Sequence, residues 1–199
     1  MGKETICNSV EEAEIEYSKY INTHIENVGR AFELFGRRIY EYCIAHRSEP
    51  HPTFESIEIK VSKHDQSKYS DKEFKAYRLR FFPTKKEFEE IGQNEIRKQF
   101  DEAWKHHYTY NSHHPEFWSI GINKESNKLH MSIGAIVEMI CDWIAMSMNF
   151  HQSTYEWWMS PKGKADKEKY MCEEDITLVT NILIANKKYF DFRNVNEEA

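Results

Sequence analysis

Apolar residues return along the first part of the chain at Tyr17, Ile21, Val28, Phe32 and Phe35, the spacing of a helix face and not the alternation of a strand. The stripe predicts a helix from Val10 to about Phe35, which Gly36 ends or bends. A second helix is expected from Arg37 to His46, stopped by Ser48-Glu49-Pro50-His51-Pro52, where two prolines demand extended backbone. A short helix follows over Phe54 to His64. Ser70-Asp71-Lys72-Glu73 has the hydroxyl-to-Glu spacing of a capping box and predicts a helix start just after the pair His64-Asp65, which places that pair at a helix end. Thr84-Lys85-Lys86-Glu87 repeats the pattern behind Pro83 and opens a helix through Ile91, Ile96, Phe100 and Trp104 towards His107. Asn111, Ser112 and Pro115 mark a loop, and Trp118 to His130 is weakly patterned. Ser132 to Phe150 reads as a strongly apolar central helix, with Ile136, Met139, Ile140, Trp143 and Met146 facing the core. Residues 160–169, SPKGKADKEK, are expected to form an exposed mobile loop, and Asp175 to Tyr189 a closing amphipathic helix.

Composition agrees with an all-α fold. Only 7 glycines and 5 prolines interrupt 199 residues, of which 40% are apolar and 14% aromatic, so a single compact helical domain over 1–199 is expected. Neither an internal repeat nor a low-complexity tail divides it. A formal charge of -6 argues against an extended nucleic-acid surface and for a small ligand. Cys7, Cys43, Cys141 and Cys172 show no zinc-ribbon or redox spacing, which suits free thiols in a reducing cytoplasm. The N-terminal residues lack the apolar stretch of a secretory signal, and no run approaches the ~20 apolar residues of a membrane span, so a soluble cytoplasmic protein is expected.

The chemistry lies in the order of histidines and carboxylates: His24, then His64-Asp65, then His106-His107 and His113-His114, then Asp142. Imidazole and carboxylate together favour divalent iron, manganese, cobalt or zinc, and helices hold such ligands without strain. His24 interrupts the apolar stripe of the first helix and should point inward; taken alone it reads first as a satisfied core histidine and second as a ligand. His64 and Asp65 can diverge at a helix end, the carboxylate bridging two ions while the imidazole binds one. Lys68, one turn on, is placed to meet a phosphate or to protonate a leaving oxygen, and Ser67 to bond the same phosphate or cap the turn. Four histidines among Trp104, Tyr108, Phe117 and Trp118 imply a walled pocket in which each imidazole needs a partner. Helix phase favours His107 over His106, while His113 and His114 stay together. Asp142, inside Ile-Val-Glu-Met-Ile-Cys-Asp-Trp-Ile-Ala, is costly to bury unless paired or metal-bound, and Glu138 lies one turn earlier as a ligand or as a hydrogen-bond partner of one.

This ordered set resembles the HD-domain superfamily, helical metal-dependent phosphohydrolases named for a His-Asp dipeptide. His64-Asp65-Gln66-Ser67-Lys68 looks like the His-Asp-x-x-Lys motif of the HD-GYP branch, and His113-His114-Pro115-Glu116 is loosely similar to that branch's His-His-Glu. Asp142, with Trp143 and Ala145, is similar to the superfamily's final ligand helix. The resemblance covers about residues 15–150, leaving 151–199 as a helical extension. No Gly-Tyr-Pro follows the histidines, so cyclic-di-GMP hydrolysis does not carry over. Tyr20 stands where a third-metal Glu would be expected, which favours one or two metals over three. The chain also looks like an uncharacterised family of short phage and bacterial proteins.

The resemblance implies one or two divalent metals held by His24, His64, Asp65, His107, His113, His114 and Asp142. It implies a metal-activated water attacking a small phosphate ester, a nucleotide by preference, with Asp65 positioning metal and Lys68 neutralising phosphate charge. Arg37, Arg38 or Arg78 would assist if the fold brings them near, and Tyr108, Tyr110, Trp118 or Trp157 would stack on a base. Two rivals stand beside it: a di-iron oxygenase of the HD-like type, and a non-catalytic helical binding or inhibitor protein with a structural metal. Residues 150–199, with Trp157 and Trp158, are open to a role as lid, homo-oligomer contact or plain core.

Overall fold

The structure, a computed structural model, describes residues 5–119 and 128–193. It is all-α. Among the described residues the only extended pairings are two isolated bridges, Cys7 with Thr84 and Ser153 with Asp191. Helix α1 (Val10–Ala31) passes through a π turn (Phe32–Gly36) straight into α2 (Arg37–His46). Gly36 therefore does not end the helix but closes the π turn within it. Its φ of -56° is helical, and its missing side chain makes room for the Phe32 ring, whose Cδ2 would stand 2.5 Å from a Cβ built there.

Helix α3 (Phe54–Val61) is capped by the Thr53 hydroxyl, which accepts from the Ser56 N–H, and it stops short of His64. A 3-10 turn (Gln66–Tyr69) leads to α4 (Phe74–Phe81), which starts later than the Ser70 capping pattern predicts. The Ser70 carbonyl receives the Glu73 and Phe74 N–H groups, and the Glu73 side chain is engaged elsewhere. The second pattern does form a complete capping box, Thr84 with Glu87, at the start of α5 (Lys85–Ile91). Gly92, at φ 80°, then separates α5 from α6 (Gln93–Tyr110), where one continuous helix was expected.

A 3-10 turn (Pro115–Ser119) precedes the central helix α7 (Ile133–Asn149), capped by Ser132. Residues 120–127 of the weakly patterned stretch lie outside the described residues. Helix α8 (Thr154–Met159) is followed by α9 (Pro161–Tyr170) and α10 (Glu173–Ala185). The expected loop at 160–169 is thus a helix. Ser160 caps it by accepting from the Gly163 N–H, Pro161 sits in its first turn where no N–H is needed, and its Lys, Ala and Glu residues are good helix formers.

The chain packs as two units interleaved along the sequence. Unit 1 comprises Met1–Ile25 and Asp65–Asn111, and unit 2 comprises Glu26–His64 and Ser112–Ala199. Unit 1 closes on Tyr17, Ile21, Tyr77 and Ala103, with Phe74, Phe82, Phe100 and Trp104 around them. Rings meet edge to face there, Tyr17 with Phe74 and Tyr77 with Phe100, each at 5.1 Å. Unit 2 closes on α7, whose Ile136, Ile140 and Ile144 are fully buried against α2, α3 and α10 residues such as Ile39, Ile57 and Ile182. Residues after 150 belong to that same core: Trp158 and Phe190 are buried in it, the Trp158 Nε1 donates to the Thr180 hydroxyl, and the Lys167 amine stands over the Trp158 ring. Truncating a side chain such as Ile140 to alanine would cost about 2–5 kcal/mol. Among the described residues no helix is long and apolar enough to cross a membrane.

Unit 1 also carries a buried cation, Arg78, bound by the Glu87 carboxylate through two hydrogen bonds of 2.7 Å. Those bonds, against the opposing effect of burial and with help from the Thr84 N–H and hydroxyl, pull the Glu87 carboxyl from 4.5 down to about 2. A carboxyl held low in the fold stabilises it fully above its unfolded value and loses that contribution as the pH falls through the folded one. We therefore expect wild-type stability to fall between pH 4.5 and about 2, and Glu87→Gln to be less stable at neutral pH with a flatter profile over that window. Urea denaturation midpoints measured across the window check this; superimposable slopes for the two proteins would contradict it.

Candidate metal centre

In unit 1 the Asp65 carboxylate is the focus. Asp65 adopts left-handed backbone, φ 56° and ψ 16°, a region that the short Asp side chain tolerates better than most. Its side chain is 2% exposed, and two imidazoles face its two oxygens: His107 Nε2 lies 3.2 Å from Oδ1 and His24 Nε2 lies 3.5 Å from Oδ2. Lys68 Nζ stands 2.5 Å from Oδ2. His24 comes from α1, His107 from the last turn of α6, Lys68 from the 3-10 turn between α3 and α4, and Asp65 from the position just before that turn.

His107 is held from behind. Its Nδ1 lies 2.8 Å from Glu73 Oε2, and the neighbouring His106 Nδ1 lies 2.7 Å from Glu73 Oε1. The Ser67 hydroxyl donates to the same Glu73, and Asn111 donates to Ser67. The Trp104 ring stacks on the His107 ring at 5.7 Å and Tyr77 meets it edge on. Burial alone would raise the Glu73 carboxyl, but hydrogen bonds and charge from His107, with further bonds from His106 and Ser67, hold it below the usual range. Burial likewise opposes a charged His107, and Asp65 first and Glu73 next outweigh it, so this imidazole is raised above its ordinary value.

Unit 2 repeats the device. Glu138 on α7 is 3% exposed, and its Oε1 lies 3.0 Å from His64 Nδ1 and 3.2 Å from His113 Nδ1, while Lys60 Nζ lies 2.9 Å from Oε2. Lys60 also donates to the Ser112 hydroxyl. Burial would raise the Glu138 carboxyl; the bonds from His113 and His64 and the Lys60 charge drive it far below the ordinary carboxylate range. The other edge of His64 faces Asp142, with Nε2 and Oδ1 4.0 Å apart. His64, His113 and Asp142 each place one donor atom within 4.8 Å of the others, and the His113 ring packs against both His64 and His114.

The spacings suit metal ligands. Two donors about 2.1 Å from one ion stand about 3.0–3.4 Å apart for octahedral to tetrahedral angles, close to both separations around Asp65. A glutamate bonded to Nδ1 fixes the tautomer that presents Nε2 to an ion, the usual arrangement behind a ligating histidine.

The expected residues thus divide between the units: His24, Asp65, Lys68 and His107 in unit 1, and His64, His113, His114 and Asp142 in unit 2. His107 is buried and faces Asp65, while His106 is partly exposed and turns to Glu73. Asp142 keeps 15% of its side chain exposed, and Glu138 is the deeply buried carboxylate of that helix. The proposed auxiliary cations are engaged elsewhere: Arg78 by Glu87, Arg37 over the Phe54 ring, Arg38 by Asn186 and Tyr189. Among the aromatics offered for base stacking, Trp118 donates to the Ser112 carbonyl and Trp157 packs on Trp143, while Tyr110 is exposed. Sequence reasoning missed Glu73 and Lys60. Glu73 carried a signal, the capping-box spacing, that pointed to a different role; Lys60 carried none.

Fold and clusters define an all-helical protein with histidine and carboxylate groups gathered in the interior of each unit. Residues 13–185 match a family of unknown function, DUF5662, and the chain belongs to that family. No curated protein and no solved structure matches it.

Glu138 is the acceptor on which its cluster turns. Glu138→Ala would leave two buried imidazole N–H groups to find other acceptors and is expected to cost about 2–4 kcal/mol, read as a lower urea midpoint with unchanged slope. A loss under about 0.5 kcal/mol, the size of an ordinary surface substitution, would show that the histidines are held by something else.

Proposed function

We propose that the protein is a metal-dependent phosphohydrolase of the HD-domain kind, acting in the cytoplasm on a small phosphate ester, a nucleotide by preference. The observation that carries this reading is the Asp65 carboxylate, flanked by His107 on one oxygen and His24 on the other with Lys68 at 2.5 Å. Opposed imidazoles on separate oxygens are what a carboxylate bridging two ions requires. In unit 2, His64, His113 and Asp142 form a second donor set, with His114 beside His113. Manganese, iron, cobalt and zinc all suit these ligands.

When bound, the metal supplies a water of lowered pKa as the nucleophile. The remaining work falls to this chain's own groups. Glu73 holds the His107 Nδ1 proton and Glu138 those of His64 and His113, so each ring is fixed in orientation. Lys68, 15% exposed, can move its ammonium from Asp65 to a phosphate oxygen and offset charge building there, or give a proton to the leaving oxygen.

Elemental analysis of untagged protein tests the reading first. Wild type is expected to carry one or two more metal ions per chain than Asp65→Ala or Asp142→Ala, each variant confirmed as folded by circular dichroism. With manganese, cobalt or iron added, hydrolysis of nucleoside monophosphates is expected, and Lys68→Met should lower kcat about 100-fold or more with metal content unchanged. Equal metal in wild type and both variants after reloading would sink the hydrolase and leave the non-catalytic binding protein.

A further inference from the structure

A third donor group lies in unit 2 away from the residues above: His130 just before α7, and Cys172 and Asp175 at the start of α10. Their donor atoms all fall within 4.8 Å of one another. The Cys172 thiol sulfur is 3.4 Å from His130 Nδ1, and His130 Nδ1 is 3.3 Å from Asp175 Oδ1. With zinc about 2.3 Å from sulfur and about 2.0–2.1 Å from nitrogen and oxygen, tetrahedral angles put nitrogen and sulfur about 3.5 Å apart and nitrogen and oxygen about 3.3 Å apart. Both separations match.

We propose that His130, Cys172 and Asp175 form a zinc site with three protein donors and a fourth position open to solvent. The chemistry of the donors selects the ion. Thiolate, imidazole and carboxylate together suit zinc and not magnesium or calcium, which take oxygen ligands. Asp175 is completely buried and pre-set: its Oδ2 accepts the Met131 N–H at 2.7 Å, and Arg47 bonds its Oδ1. His130 is about half exposed, so an ion can enter from solvent without unfolding, and that exposure leaves room for a water as the fourth ligand. The His130 ring and the Asp175 carboxylate already meet through the atoms that would bind.

Two features set the strength of the site. The Arg47 guanidinium on Asp175 opposes a second cation, so the negative charge drawing zinc in must come from Cys172. Zinc takes the sulfur as thiolate, so binding exchanges a proton for the metal: the S–H bond is lost, a sulfur–zinc bond forms and the proton leaves to solvent. Once formed, the site ties the segment that leads into α7 to the first turn of α10. It owes nothing to the phosphohydrolase reading, because none of its donors belongs to either cluster.

Cobalt(II) reads this site alone, since a thiolate–cobalt bond gives a near-ultraviolet charge-transfer band that nitrogen and oxygen ligands do not. Reduced full-length protein titrated with cobalt is expected to develop the band to one equivalent, and added zinc to remove it. Cys172→Ser should abolish the band, and His130→Gln should weaken cobalt binding at least about tenfold, the scale on which even outer partners of a ligand act. Asp65→Ala and Asp142→Ala should keep the band in full, which separates this site from the other two. Cys172→Ser places a favoured capping residue at the N-cap of α10, where the Cys172 side chain makes no cap bond, and His130 is about half exposed, so both variants are expected to fold, as circular dichroism will check. No thiolate band in wild type at saturating cobalt, or a band unchanged in Cys172→Ser, would overturn the proposal.

Discussion

A buried glutamate shared by two imidazoles is the interaction on which each cluster depends. A carboxylate as enclosed as Glu73 or Glu138 would pick up a proton if it were left alone, and its charge persists because histidine N–H groups and, for Glu138, Lys60 surround it. The same bonds decide what the histidines can do. An imidazole with its Nδ1 proton committed to a glutamate can turn only Nε2 to a partner, and in unit 1 that edge of His107 faces Asp65. Tautomer, ring orientation and charge are therefore settled together, by one acceptor in each unit. Burying such polar groups is costly, and proteins retain them chiefly where they serve a purpose, which is why these interiors carry the functional reading.

Much of the fold could be read from the chain because helices announce themselves locally. The stripe Tyr17, Ile21, Val28 and Phe32, the apolar run of α7 and the Thr84–Glu87 box all act within a few residues of themselves. Departures came where a single residue or a distant partner decided the outcome. Gly36 suggests an end or a bend of the helix, but the helix runs on through it and the Phe32 ring occupies the space its side chain lacks. Gly92 passed unnoticed inside a good helical pattern until its positive φ divided it. Residues 160–169 looked like a solvated loop because charge masks helical pattern, whereas the Ser160 cap and the Trp158 ring beneath Lys167 provide what hydropathy does not show.

Legibility of the candidate site followed the same division. Ligand-type residues stand out by chemistry, so His24, His64, Asp65, His107, His113 and Asp142 were found from their order and their apolar surroundings. Of their supports Glu138 stands out by its place one turn before Asp142, whereas Glu73 does not, because such a glutamate is common and its meaning lies in partners more than thirty residues away. The pairing of His130 with Cys172 and Asp175, across more than forty residues, left no trace in spacing at all.

The π turn at Phe32–Gly36 amounts to one extra residue in an otherwise continuous helix. Each residue of an α-helix advances the side-chain direction by about 100°, so α2 is rotated by about that angle from the phase α1 alone would have set. The apolar stripe of α1, extended without interruption, would run on into Ile39 and Cys43, which stand eleven residues, about three turns, beyond Val28 and Phe32; the inserted residue turns Ile39, Tyr40 and Cys43 off that line, so α2 meets the core around α7 with a face of its own. The number of residues in a helix thus acts as an angular setting for the face it presents further along.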